Sequence, residues 1–267
     1  MAHISPAVSV VIPAFNASRY IRETLNSVLS QTFADFEIIV VDDCSSDETK
    51  AIVMGVSQLD DRVTLICLDE NMGAPAGPRN IGVRAAKGRW VAFLDADDIW
   101  HPRKLEEQVK LLRCSGGKFC STASTHFNHT NKVTFPSIVD IQVERISYFQ
   151  QQLKCRTPAS SVLVDTDLIK KHPFNESLTF KAREDLDCWL HCHEEIGFSL
   201  KITNPLIGYR ISDGQISGNK WTMFRRHLHV LKAYRKMDGS GLGFSAYMFT
   251  ASHFLLSLYS RYVKRGL

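Results

Sequence analysis

The stretch "VAFLDADDIWHP" at residues 91–102 places three aspartates within four positions, directly after an apolar run. Carboxylates this close raise one another's pKa unless a cation or hydrogen-bond donors offset their charges. Mg²⁺ and Mn²⁺ prefer oxygen ligands, and usually take one or two carboxylates while water and phosphate complete the shell. Asp95, Asp97 and Asp98 therefore predict either a divalent-cation site or an acidic turn that caps a helix, and the stretch alone favours neither.

Polar residues also follow two earlier apolar runs. After "VSVVI" come Pro13, Ala14, Phe15 and Asn16, and after "FEIIVV" come Asp42 and Asp43. Apolar, β-branched runs of this length predict buried strands of a parallel sheet. In an open α/β sheet, ligands bind beyond the carboxyl ends of the strands. The two clusters are therefore predicted to meet at one edge with a third, which consists of Asp95, Ala96 and Asp97.

The elements that would position these clusters are strands and helices in alternation. Strands are predicted at 8–13, 36–43, 63–68 and 89–96. The helices have Ser18 and Asp47 as predicted N-caps, Gly88 as a C-cap, and Pro102 in the first turn of a helix that ends near Cys114. This alternation implies right-handed crossovers and an open, mostly parallel, doubly wound α/β sheet.

The predicted sheet edge lacks the usual phosphate-binding loops. No "GxGxxG" follows the first strand, and no "GxxxxGK[ST]" occurs in the chain. A bound nucleotide would need another positive group beside its phosphates. A cation on the cluster at 95–98 supplies that charge, and this favours the cation site over the acidic turn.

The composition is that of a soluble globular protein with little charge bias. The 267 residues are 44% hydrophobic and 22% charged, with a net charge of +4, so no nucleic-acid partner is predicted. Seven cysteines, an odd number, favour reduced thiols in a cytoplasmic protein. The start "MAHISPAVSVVIP" has no basic region typical of a signal peptide, and no apolar run predicts a membrane-spanning helix.

Taken together, these motifs resemble the family 2 glycosyltransferases of GT-A fold. The resemblance is specific over residues 8 to about 112, where four motifs occur in order. It continues more weakly through "REDLDCWLHC" at 183–192 and "GYRISDGQIS" at 208–217, which are similar to acceptor-side segments of that family.

The resemblance implies the inverting transfer of a sugar from a nucleotide diphosphate donor, with a UDP-sugar favoured. The residues that it implies for nucleotide-sugar binding are Pro13, Ala14, Phe15, Asn16, Asp42, Asp43, Arg79, Asp95, Ala96 and Asp97. Asp43 would accept a hydrogen bond from the base. Asp97 and Asp95 would hold Mn²⁺ or Mg²⁺, and Asp95 would also face the ribose or the sugar.

The same resemblance implies that Asp185 is the catalytic base, with Glu184 beside it. The chemistry needs such a carboxylate because the acceptor hydroxyl must lose a proton. It also needs a positive group at the leaving diphosphate, which a metal provides as a Lewis acid. The N-terminus of the helix that Asp185 opens would favour its ionised form.

The sequence departs from the family pattern at two places. Cys44 stands where the family often has glycine, and a cysteine is tolerable there if its φ is negative. Ser212 replaces a histidine that often approaches the metal, so Asp213 or water is the expected third ligand.

Two rival functional classes and a zinc site are alternatives. A nucleotidyltransferase would also place carboxylates at a sheet edge, but "IPAFNAS" is not its phosphate loop. A non-catalytic binding module is disfavoured because both carboxylate motifs are kept. Cys188, His191 and Cys192 share a helix face and would be zinc ligands, although no second cysteine pair lies nearby.

The C-terminal segment is basic and then aromatic. "WTMFRRHLHVLKAYRKM" at 221–237 precedes a run rich in Phe, Tyr and Leu that ends in "RGL". It predicts either a helical cap with a solvated basic face or a helix on a membrane surface.

The predicted organisation is a catalytic part at 1–218, with halves 1–112 and 113–218, and a helical segment at 219–267. The expected acceptor is a glycan or lipid-linked molecule of surface polysaccharide or lipopolysaccharide assembly at the inner face of the cytoplasmic membrane.

Overall fold

The apolar N-terminal runs form parallel strands that helices cover on both faces. The computed structural model describes residues 5–128, 133–153, 157–211 and 220–263. The first strands are β1 (Val8–Ala14), β2 (Phe36–Asp42), β3 (Val63–Cys67) and β4 (Trp90–Phe93). They lie in the order β3-β2-β1-β4, and every neighbouring pair is parallel. The four predicted strands are confirmed, with ends that differ by up to three residues.

The helices of this half are α1 (Ile21–Leu29), α2 (Thr49–Ser57), α3 (Ala76–Ala85) and α4 (Lys104–Ser115). Asp47 is not the N-cap of α2, which is Glu48, but it stands one residue earlier and its Oδ1 accepts the Thr49 N–H at 2.9 Å. Ser18 was wrongly predicted as a cap, since its own N–H donates to Asp47 Oδ2 at 3.0 Å and Tyr20 precedes the helix. Gly88 does not cap α3 either. A Cβ there would lie 2.7 Å from the Ser9 nitrogen, so glycine serves close packing.

The second half of the sheet is mixed rather than parallel. Its strands are β5 (Ile99–Trp100), β6 (Phe119–Phe127), β7 (Val143–Ser147), β8 (Leu163–Asp165) and β9 (Phe198–Arg210). The order continues β4-β8-β6-β9-β5, and β8 is antiparallel to both β4 and β6. The chain enters β8 from the carboxyl edge, where Ser160 Oγ accepts the Asp95 N–H at 3.1 Å. A strand that starts there must run back along β4.

Each face of the sheet has its own apolar core because strand side chains alternate. Val10 and Ile12 of β1 pack with Leu25 of α1 on one face. Val11 of β1 packs with Val83 of α3 on the other. The doubly wound arrangement is thus confirmed. Since β4 and β8 pair, the predicted halves 1–112 and 113–218 share one sheet, and their treatment as separate units stays a prediction.

The remaining helices lie between the strands of the second half of the sheet and after them. They are α5 (Tyr148–Leu153), α6 (Thr166–Lys171), α7 (Glu184–Ile196), α8 (Lys220–Ala233) and α9 (Ser245–Val263). Leu186 and Leu190 of α7 pack against Val230 and Leu231 of α8 and Ala246 of α9. The predicted C-terminal helices therefore rest on α7. The proposed boundary at 218 lies outside the described residues.

Candidate active site

The loops after β1 and β2 are joined at the carboxyl edge of the sheet, as the strand order requires. The Asp43 N–H donates to the Ala14 carbonyl at 2.8 Å, and the Asn16 N–H donates to Ser45 Oγ at 2.9 Å. Pro13 and Ala14 are buried within β1, whereas Phe15 is 52% exposed. An exposed aromatic ring at a strand end is free to stack on a planar ligand.

Asp42, the last residue of β2, and Asp43, the next residue, are both buried and hold neighbouring loops. Asp43 Oδ1 accepts the Met72 N–H at 2.8 Å, and Oδ2 accepts Asn71 Nδ2 at 3.1 Å. Burial raises the pKa of Asp43, although the Met72 N–H opposes the change. The Asp42 carboxylate accepts the Ser45 N–H at 3.2 Å and the Ser45 hydroxyl. Each Asp43 oxygen keeps a second lone pair, so recognition of a base by Asp43 stays a prediction.

Backbone strain is concentrated beside the predicted site residues. In the described part of the chain, the non-glycine residues with positive φ are Asn16 (47°), Cys44 (60°) and Ala182 (66°). The first two adjoin the β1 and β2 ends, and Ala182 precedes the Glu184–Asp185 pair. The condition of a negative φ at Cys44 is not met, because the turn keeps the left-handed conformation that suits the family's glycine. Strain of this kind is held where the surrounding structure fixes it, often at functional sites.

Replacing Cys44 with glycine is expected to stabilise the protein. A left-handed conformation costs an L-residue about 1–2 kcal/mol. Glycine avoids that cost but loses more backbone entropy, which leaves a gain in free energy of unfolding of about 0.5–1 kcal/mol. Urea denaturation measures it. The matched control is Cys67→Gly, an exposed cysteine at the end of β3, which is expected to lose stability. If both variants lost unfolding free energy, the left-handed conformation of Cys44 would not be a source of strain.

The three aspartates of the 95–98 loop have different environments. Asp98 is 1% exposed, and its carboxylate accepts Ser160 Oγ at 2.6 Å and the Arg210 N–H at 2.9 Å. It is therefore an internal anchor. Asp95 and Asp97 are half-buried. Burial and the neighbouring Asp95 raise the pKa of Asp97 to about 6. A bound cation would relieve this repulsion.

Arg79 joins the two predicted carboxylate motifs. Its Nη2 lies 2.6 Å from Asp95 Oδ1, and its Nη1 lies 2.7 Å from Glu184 Oε1. The guanidinium is 4% exposed, and its centre lies 5.3 Å from the centroid of the Phe174 ring. Burial opposes its charge, but Asp95 and Glu184 raise the pKa of Arg79. The predicted contact of Arg79 with the nucleotide stays a prediction, since both Nη groups bind protein carboxylates.

Asp185 stands in the first turn of α7 and is half-buried. Its Oδ1 accepts the Leu186 N–H at 2.8 Å. Burial and Glu184 raise the pKa of Asp185 to about 6, against the opposing charges of Arg183 and Arg79. The sequence led us to expect that the helix N-terminus would favour the ionised form of Asp185. Burial and Glu184 instead have the larger effect on its pKa. A carboxylate with this pKa is still mostly ionised at pH 7, and it is well suited to take a proton.

The donor set at Asp95 and Asp97 fits a hard divalent cation. Asp95 Oδ1 accepts a hydrogen bond from Arg79, which leaves Oδ2 for a cation. Among the described residues, the Asp97 carboxylate accepts a hydrogen bond only from the N–H of Asp97 itself. Two carboxylates with phosphate and water are a usual Mg²⁺ or Mn²⁺ set. The expected third-ligand positions Ser212 and Asp213 lie outside the described residues.

The zinc alternative gains no support from the structure. Among the described residues, no three His, Cys, Asp or Glu side chains are grouped to hold a metal. Cys188 and Cys192 are buried in the core beneath the sheet. His191 stacks on His172, with ring centroids 5.9 Å apart.

Comparison with known proteins identifies the family of the chain. Residues 9–176 match the family model described as Glycosyl transferase family 2, and the chain belongs to this family. TuaG of Bacillus subtilis (strain 168), whose name assigns it to teichuronic acid biosynthesis, is 31% identical over 239 residues, 89% of this chain and 91% of that protein. The Escherichia coli glucosyltransferase WfgD is 33% identical over 227 residues, 84% of this chain and 85% of that protein.

Solved structures show the same fold. TarS 1–349 of S. aureus, in complex with UDP-GlcNAc, has a TM-score of 0.68 at 21% identity, over 84% of this chain and 65% of that chain. PcManGT, a mannosyltransferase of Pyrobaculum calidifontis in complex with GDP-Man and Mn²⁺, has a TM-score of 0.59 at 18% identity, over 86% of this chain and 63% of that chain. The protein is a glycosyltransferase of GT-A fold, and the nucleotidyltransferase alternative is wrong.

Proposed function

We propose that the protein transfers a sugar from a UDP-sugar, with inversion, to a lipid-linked glycan acceptor in the assembly of a surface polysaccharide. The observation that carries the proposal is the pairing of Arg79 with Asp95 and Glu184, which brings donor-side and acceptor-side motifs together. The name of WfgD specifies UDP-Glc as donor and GlcNAc-diphosphoundecaprenol as acceptor, which supports both substrate classes.

The residues divide the reaction between them. Phe15 stacks on the base, and Asp95 and Asp97 would hold Mn²⁺ or Mg²⁺. When bound, the metal would supply positive charge to offset the charge that builds on the leaving diphosphate. Asp185 takes the proton of the acceptor hydroxyl, and the acceptor oxygen bonds to the anomeric carbon as the bond to the diphosphate breaks. One displacement inverts that carbon, so no covalent nucleophile is needed.

The metal site is tested by Asp97→Asn. We expect the variant to keep its melting temperature because Asp97 is half-buried at a strand end, while UDP affinity in the presence of Mn²⁺ falls at least tenfold, or by about 1.4 kcal/mol. Calorimetric titration with and without Mn²⁺ measures the change. Asp35→Asn removes an exposed aspartate beside the start of β2 and is expected to bind like the parent. Unchanged affinity in Asp97→Asn would place the metal elsewhere.

We also propose that α8 and α9 bring the enzyme to an anionic membrane surface. Trp221 and Leu255 are 69% and 63% exposed. The Trp221 ring stacks on Phe224, which contacts Phe254 edge-on at 5.7 Å, so the two helices form one apolar surface. Exposed Arg225 adds positive charge beside it. Aromatic groups with basic neighbours suit a lipid interface. No helix in the described residues is long and apolar enough to cross a bilayer.

Vesicle sedimentation tests this surface. The protein is expected to bind phosphatidylglycerol vesicles more than phosphatidylcholine vesicles, and high salt is expected to weaken the binding. Trp221→Ser with Leu255→Ser is expected to reduce it severalfold, since less apolar area is buried. Leu59→Ser, at an 89% exposed leucine after α2, is the control. Equal binding of all three proteins, or no binding to either lipid, would refute the surface.

A further inference from the structure

The loop at 95–98 is fixed to the protein residue by residue. The Asp95 N–H donates to Ser160 Oγ at 3.1 Å, and the Ala96 carbonyl accepts Thr24 Oγ1 at 2.9 Å. The Asp97 carbonyl accepts Arg210 Nε at 2.7 Å. Asp97 is the proposed metal ligand, so the direction of its side chain depends on the peptide that Arg210 holds.

Arg210 is itself held in one orientation. Its side chain is 6% exposed, and its Nη2 donates to Glu23 Oε2 at 2.6 Å. The guanidinium centre lies 4.5 Å from the centroid of the Tyr20 ring and 4.3 Å from that of Phe127. Two rings fix the guanidinium, and its in-plane N–H donors then fix the carbonyl.

The same residue also anchors the buried aspartate. The Arg210 N–H donates to Asp98 Oδ1 at 2.9 Å, while Ser160 Oγ donates to Asp98 Oδ2. The end of β9 thus binds both the Asp97 carbonyl and the Asp98 carboxylate. Groups that orient metal ligands without touching the metal typically change metal affinity by about 10–100-fold when they are lost.

We infer that Arg210 is a positioning residue that holds Asp97 for the divalent cation, an inference that rests on the proposed metal site. Arginine is required because a lysine ammonium cannot donate to the Asp97 carbonyl and to Glu23 while it fills the space between two rings. The sequence does not reveal that residues 97 and 210 are in contact, although the motif "GYRISDGQIS" contains the arginine.

The test measures Mn²⁺ binding directly, by electron paramagnetic resonance with saturating UDP. Arg210→Lys is expected to weaken Mn²⁺ binding at least tenfold, in line with other lost ligand-orienting groups, while UDP affinity without metal stays at the parent value. The control is Arg145→Lys, which removes a similar arginine–ring contact with Phe198, at the opposite end of β9 from Arg210. A merely structural role would lower the melting temperature and leave Mn²⁺ affinity unchanged, and that result would overturn the inference.

A second variant covers the case in which Arg210→Lys does not fold. Glu23 is 58% exposed, so Glu23→Ala removes one constraint on Arg210 at little risk to the fold. It is expected to weaken Mn²⁺ binding by a smaller factor, and parent-like binding in Glu23→Ala would then overturn the inference. Parent-like Mn²⁺ binding in Asp97→Asn would instead refute the metal site. If Asp97→Asn lost Mn²⁺ binding and a folded Arg210→Lys did not, only the role of Arg210 would be refuted.

Discussion

Replacing Asp185 with asparagine is expected to lower the turnover of sugar transfer by about 10²–10⁴-fold, the usual contribution of a general base. Asparagine keeps the shape of the side chain and its acceptor oxygen for the Leu186 N–H, so α7 is expected to begin at the same residue. Donor and metal binding are expected to change little, because the carboxylate acts only in the transition state. Single-turnover transfer to a lipid-linked acceptor measures the effect.

The pH profile separates a base from a helix cap. Because the pKa of Asp185 is raised to about 6, turnover of the parent is expected to fall as the pH is lowered through about 6 and to level off above it. Asp187→Asn is the matched control, since Asp187 lies on the same helix and burial raises its pKa to about 6 as well. Lower thermal stability of Asp185→Asn with turnover intact would show that Asp185 is only a cap.

The meeting of the predicted nucleotide-sugar residues at one sheet edge was predictable from sequence, because these residues follow strand ends. Parallel strands bring their carboxyl ends to one edge whatever the loops do, so the positions of Asp42 and Asp95 follow from the apolar runs before them. The different role of Asp98 did not follow. Its two partners, Ser160 and Arg210, come from distant segments, and nothing in "DADD" shows which aspartate turns inward.

The ion pairs by which Arg79 connects Asp95 with Glu184 could not be predicted from sequence for the same reason. Arg79 and Glu184 are 105 positions apart, and a pairing at that separation is set by how α3 and α7 pack on the sheet. Antiparallel β8 was also missed, because a three-residue strand leaves too short a pattern to reveal its direction. The left-handed φ of Cys44 was signalled only by the family's glycine at that position.

Replacing Arg79 with methionine is expected to cost about 3–5 kcal/mol of unfolding free energy, the usual result of removing one partner of a buried ion pair. Methionine fills much of the same volume, so the loss reports the unpaired Glu184 carboxylate, which is 5% exposed, and the half-buried Asp95. The surface pair of Arg62 and Asp60 gives the control. Arg62→Met is expected to cost no more than about 1 kcal/mol, because that arginine is 37% exposed.

Adding Glu184→Gln to Arg79→Met is expected to recover part of the lost stability, because the double variant no longer buries an unpaired Glu184 charge. Metal-dependent UDP affinity is expected to be below that of the parent in both the single and the double variant. In each of them Asp95 lacks the guanidinium that holds its Oδ1. Urea denaturation and calorimetric titration measure the two effects separately. If Arg79→Met were no less stable than Arg62→Met, the Arg79 pairs would not hold the donor-side and acceptor-side motifs together, and the observation that carries the proposed function would be lost.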